Sequence, residues 1–136
     1  MKIELCEIPS VPDAPSNPWK VRVLAIDGRS PALSALDQWA QKQAADFKKI
    51  IKSLRYASQT TRVHNEKFVK KCANPDHGDV YEARADKGHA RLMFFYTPKD
   101  GSVIVCTNSF WKGQGSQDNA FGQCAKLKAL FDQFFS

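Results

Sequence analysis

The sequence predicts an α+β fold, a small antiparallel sheet packed against two amphipathic helices. Between Val80 and Gln114, three apolar runs are separated by two turn signals, the pattern of consecutive antiparallel strands. Leu33, Leu36, Ala40, Phe47, Ile50, Ile51 and Leu54 recur at spacings that make one helical stripe. Residues 118–135 repeat that pattern at the chain end through Phe121, Cys124, Leu127 or Lys128, Phe131 and Phe134 or Phe135.

Taken in order, Lys2 to Ile8 reads as a short strand with Ile3 and Leu5 on one face. Pro9, Pro12, Pro15 and Pro18 then preclude helix and sheet interior, so residues 1–18 are expected to be an N-terminal arm ending in an extended connector. Lys20 to Ile26 alternates as a strand, and Asp27-Gly28 marks a turn. Ser30-Pro31 looks like an N-cap followed by proline at the first helical position; Ser34 to Asp37 offers a second, later capping box. One helix is expected from there to about Tyr56, with Lys48, Lys52 and Arg55 opposite its apolar stripe. Arg62 to Ala73 fits a short helix or an extended segment, and the extended or irregular reading is preferred because the Asn74-Pro75-Asp76 turn follows at once. Strands are expected at 80–85, 89–97 and 102–109, joined by Asp86-Lys87-Gly88 and by Pro98-Lys99-Asp100-Gly101. The run from Leu92 to Thr97 is apolar on both faces, so it belongs in the middle of the sheet.

At 136 residues, with 43% hydrophobic content, the chain suits one soluble domain. No apolar run approaches the roughly 20 residues that span a bilayer. Residues 1–6 lack a secretory h-region, so a cytoplasmic location is expected. The net charge of +6 is uneven: residues 42–71 hold nine Lys or Arg against Asp46 and Glu66, an excess of seven. Such a cluster attracts phosphate backbones, or is simply a solvated helix face. The cysteines at 6, 72, 106 and 124 form no C-x-x-C pair, which argues against a zinc site. Cys6, Cys106 and Cys124 read as small buried hydrophobes in a reducing compartment. No cofactor is expected, because cations planted on a small sheet suit an anionic polymer better than a metal or a nucleotide.

Tyr81-Glu82-Ala83-Arg84, His89 to Tyr96 and Phe110-Trp111-Lys112, preceded by Val69-Lys70-Lys71-Cys72, stand in an order that resembles the RelE/HigB superfamily of bacterial type II toxins. The closest likeness is to its phage-derived HigB-like branch, and it covers residues 19–135. One departure is visible: Lys112-Gly113-Gln114-Gly115 carries one cation fewer than the family's loop. The resemblance implies a RelE/ParE-like microbial ribonuclease-type fold and metal-free, ribosome-dependent cleavage of mRNA. It also implies a neutralising antitoxin, expected to be a helix-turn-helix protein.

Metal-free RNA cleavage needs a base for the 2′-hydroxyl, an acid for the 5′-oxygen and cations on the phosphorane. Arg91 opens an otherwise apolar strand and is the first candidate for the phosphate clamp, against the alternative of an exposed edge arginine. Arg84 can share its face across the turn, or pair with Asp86 or Glu82. Lys112 follows the last strand, as a loop cation or as a site residue. His89 stands two residues before Arg91, so strand periodicity puts both on one face; it is a proton-transfer candidate or a solvated turn histidine. Glu66 lies roughly where some relatives carry a carboxylate base. Lys70, Lys71, Trp111 and Gln114 are the RNA-contact candidates; Trp111 either stacks on a base or packs in the core. His64 and His77 receive no role. Two other readings stay open, a ParE-like gyrase inhibitor and a catalytically degenerate RNA-binding domain.

Overall fold

The computed structural model describes residues 1–60 and 65–135. It is an α+β structure in which a six-stranded mixed sheet is covered by α1 and α2 on one face and by α3 on the other. The strands are β1 (Ile3–Glu7), β2 (Lys20–Ile26), β3 (Val69–Lys71), β4 (Tyr81–Arg84), β5 (Ala90–Thr97) and β6 (Val103–Trp111), in the spatial order β1-β2-β6-β5-β4-β3. The helices are α1 (Pro31–Lys42), α2 (Ala44–Gln59) and α3 (Gln117–Phe134). No helix among the described residues is long and apolar enough to cross a membrane.

The sheet is larger than the small antiparallel one expected, and it is mixed. β2 pairs with β6 in parallel, Lys20 opposite Val103 through Val23 opposite Cys106, while every other pairing is antiparallel. After β2 the chain crosses one face through α1 and α2, reaches the far edge at β3, and returns by hairpins until β6 lies beside β2. Turn residues report the hairpins, but a pairing between segments so far apart in sequence leaves no local mark. β5 and β6 occupy the interior, which accounts for burial on both their faces. A bulge at Thr107, between Met93 opposite Asn108 and Phe94 opposite Cys106, adds one residue to β6.

The expected single helix is two. The backbone leaves helical geometry at Gln43 (φ −135°, ψ 54°), although Gln43 N–H still donates to Trp39 O and Phe47 N–H to Gln43 O. α1 buries Ala32, Ala35, Leu36 and Trp39, whereas Ala40, counted in the expected stripe, is exposed. Residues 40–45 are all exposed, so nothing holds that stretch to the sheet; the turn lets Ile50, Ile51 and Leu54 reach the same face. Ser30 is the cap, its Oγ accepting from Leu33 N–H at 3.2 Å, while the alternative box at Ser34 lies inside α1.

Residues 8–19 carry no regular structure, yet Ile8 and Val11 are buried in the core beneath α1 and α2. Asp13 holds Arg22 through two 2.8 Å bonds, and the guanidinium pulls its carboxyl below the usual range. Of the segment expected to be irregular, Val69–Lys71 forms edge strand β3, while Arg62, Val63 and His64 lie outside the described residues. Asn74 caps a short 3-10 turn, Pro75–His77. Leu54→Ala is expected to lower the unfolding free energy by about 2–5 kcal/mol, through lost burial and a residual cavity. Lys48→Ala on the exposed side of the same helix should stay within about 0.5 kcal/mol; urea titration of both checks this.

Candidate functional site

β4 and β5 pair so that Arg84 stands directly opposite Arg91. Direct partners across a ladder point to the same face. Period two adds Glu82 to that face, and Lys70 of β3 stands opposite Glu82. Phe110 of β6 stands opposite Arg91. This is the face covered by α3, whose first residue, Gln117, donates from Nε2 to Glu82 Oε1 at 2.6 Å. The outcome is one carboxylate among Lys70, Arg84 and Arg91 at a corner of the sheet.

The three charged residues closest to the centre differ in environment. The Glu82 side chain has 0% exposure, and its Oε2 has no hydrogen-bond partner among the described residues. Burial pushes its carboxyl above the ordinary value, against the opposing pull of Arg84, Arg91, Gln117 and Lys70. Arg91 is 4% exposed, and Nη1 alone donates to Ala85 O, Gly88 O and Ala90 O at 3.3, 3.2 and 2.9 Å. Burial, followed by the charge of Arg84, lowers its pKa. Arg91 is thus neither an exposed edge arginine nor an open clamp; it is a buried cation holding the β4–β5 turn. Arg84 is the more accessible guanidinium. It reaches Glu82 Oε1 at 3.8 Å through Nε and donates from Nη1 to Glu66 O at 2.9 Å.

Several expected site residues lie elsewhere. His89 does not share the face of Arg91. Its ring stacks on Trp111, centroids 5.3 Å apart, and Trp111 packs beside Trp39 in the core of the α1–α2 face. The reason is Asp46, in the first turn of α2, whose Oδ2 accepts from His89 N–H at 2.7 Å and Ala90 N–H at 2.9 Å. That bond draws the backbone out of strand geometry just before β5 begins. Gly88 leaves room for this carboxylate: a Cβ there would lie 2.8 Å from Asp46 Oδ2 and would displace it.

Trp111 is half-buried, with His89 against one side of its ring. Gln114 N–H closes a turn onto Trp111 O, and exposed Lys112 donates its backbone N–H to His89 O. Lys71 alternates away from Lys70 and pairs with Asp79 at 2.9 Å. Glu66 meets Arg84 through its backbone oxygen. The carboxylate that joins the arginines is Glu82, which sequence reasoning had only as a pairing partner for Arg84. Its signal was a lone acid inside a strand whose register neighbour, Met93, is apolar.

The buried cysteines Cys106 and Cys124 serve packing. Burial pushes the Cys124 thiol up to about 12 and raises that of Cys106 further, so both sulfurs are inert core groups. Comparison with known proteins adds no relative: no family model, curated protein or solved structure matches the chain.

An acid with a raised native pKa stays protonated in the fold at pH values where the unfolded chain has lost its proton. Stability therefore falls as pH rises above the ordinary glutamate value of 4.5, and it stays lower once Glu82 is ionised. Glu82→Gln should flatten that fall and exceed the wild type in stability near neutrality. Urea midpoints between about pH 4 and pH 8 test this; parallel curves for the two proteins would refute it. Asp46→Ala leaves two backbone donors of the turn without their acceptor and is expected to cost about 1–3 kcal/mol in the same assay.

Proposed function

We propose that this protein is an endoribonuclease acting on translated mRNA, the toxin of a type II toxin–antitoxin pair. The observation that carries the reading is the Arg84–Arg91 cross-strand pair, with Lys70 on the same face, around buried Glu82. In this scheme Glu82 takes the 2′-hydroxyl proton, since a carboxylate raised above its usual pKa is the stronger base. Arg84 grips the phosphate with the guanidinium N–H groups not held by Glu66 O. Arg91 contributes fixed charge from its locked position, and the Lys70 ammonium gives a proton to the 5′-oxygen as the P–O5′ bond breaks, leaving a 2′,3′-cyclic phosphate.

Substrate reaches Glu82 once Gln117 and the first turn of α3 swing away. That turn is held by Asp118, which accepts from Asn74 Nδ2 at 3.0 Å and meets His77 Nε2 at 3.0 Å. The partners belonging to this reading are the ribosome with its mRNA and a neutralising antitoxin. No metal or organic cofactor enters the scheme.

A second reading, an RNA-binding or gyrase-directed protein that does not cleave, is favoured by a specific observation. Arg91 Nη1 is committed to three carbonyls, and Glu82 is closed off by Gln117. Induction in bacterial cells separates the two. Under the first, growth stops and mRNA acquires new 5′ ends inside codons, and Arg84→Ala removes both effects with little change in urea midpoint. Arrest with intact mRNA would favour the second reading. Arg91→Ala is a poor probe, because breaking this buried arrangement is expected to cost about 3–5 kcal/mol of stability.

A further inference from the structure

The outer surface of α2 carries a groove of about 610 Å³ that the cleavage scheme does not use. Its floor is apolar, built from Phe47 and Ile51 one helical turn apart, with Tyr56 and Phe68. Its rim is cationic, formed by Lys48, Lys52 and Arg55. We propose that this groove docks an acidic amphipathic helix from a partner protein. The proposal is independent of the cleavage reading, because the groove belongs to the α1–α2 layer and the Glu82 cluster to the α3 face.

Charge complementarity selects the occupant. Among the described residues, none that lines the groove is acidic. Elsewhere some surface cations are matched: Arg22 with Asp13, Lys67 with Asp86, Lys71 with Asp79 and Lys128 with Asp132. Among the described residues no carboxylate pairs with Lys48, Lys52 or Arg55. Arg55 spends one donor on Ser10 O at 3.0 Å, and the rest of its fork faces outward with the two lysines. The charge excess of residues 42–71 is therefore uncompensated here.

Shape decides between protein and nucleic acid. A single-stranded RNA would need an open aromatic face for its bases. Phe68 offers none, because Tyr56 packs against it at 5.0 Å while Lys52 and Lys67 lie over its ring at 5.5 and 5.8 Å. An apolar trough of this volume accepts a few large aliphatic side chains from one helical face, with carboxylates along the flank meeting the cations.

The test uses the full chain and fluorescein-labelled designed helices with leucines on one face, flanked by glutamates in one peptide and by lysines in its twin. Anisotropy should show the glutamate peptide binding at least about tenfold more tightly, a difference of about 1.4 kcal/mol. In the Lys48→Glu/Lys52→Glu variant the preference should reverse toward the lysine peptide, which a merely unfolded protein cannot do. Equal binding of the twins, absence of binding to both, or displacement of the peptide by a short uridine oligonucleotide would each overturn the proposal. So would a dimer in sedimentation that the double variant abolishes, since the groove would then hold a second copy of the chain. Cleavage by the same variant, which keeps Glu82 and Arg84, reports separately on the enzyme reading.

Discussion

The turn between β4 and β5 is clamped from both sides, and the rest of the molecule is arranged around it. From the α2 side, Asp46 accepts two backbone N–H groups; from within, Arg91 donates to three backbone oxygens of residues 85–90. A tight turn leaves carbonyls and amides without ladder partners, and buried ones must be satisfied. Here a carboxylate takes two amides, and a guanidinium adds a donor to three carbonyls, of which Ala85 O and Ala90 O also accept from Gly88 and Ala85 N–H. The first ties α2 to the sheet. The second supports the register in which Arg84 faces Arg91, and that register gives the polar corner its composition.

Glu82 and Arg91 belong to the fold as much as to the proposed chemistry. Both lose hydration, and their pKa values move toward neutrality from opposite directions. Neighbouring opposite charge returns part of what burial takes away, so removing Arg91 while Glu82 remains leaves a buried carboxyl with less compensation. Ordinary core packing does not require such an arrangement, since an apolar pair of similar volume would fill the space.

The two helical layers play different roles. α1 and α2 cover the broad face with Leu36, Trp39, Ile50 and Leu54, and the break at Gln43 fits a long polar-backed segment to a twisted sheet. α3 seals the other face with Phe121, Cys124 and Phe131, and its first turn reaches the charged corner. The aromatic chain end is divided between tasks: Phe131 is buried against Phe95, whereas Phe134 is exposed. Capping the corner thus falls to the first turn of α3, while Phe131 near its other end seals the core.

The sequence by itself determined the local features: Lys20–Ile26 as a strand, Ser30 as a cap, the hairpin turns around Lys87 and Asp100, and the doubly buried β5. These follow from period, propensity and turn chemistry, all encoded within a few residues. It also allowed Arg84 and Arg91 a common face, beside the alternative of an Arg84–Glu82 pair, and the structure holds both. Tertiary structure alone decided the parallel β2–β6 pairing, the break at Gln43, the side taken by His89 and the choice of Glu82 over Glu66 beside the arginines. Each depends on which distant segment packs where: Asp46 must reach the turn before His89 is displaced, and Gln117 must cap the corner before Glu82 is sealed. Periodicity places a side chain on a face; only the layer that arrives on that face settles whether the side chain meets water, a partner charge or a wall of carbon.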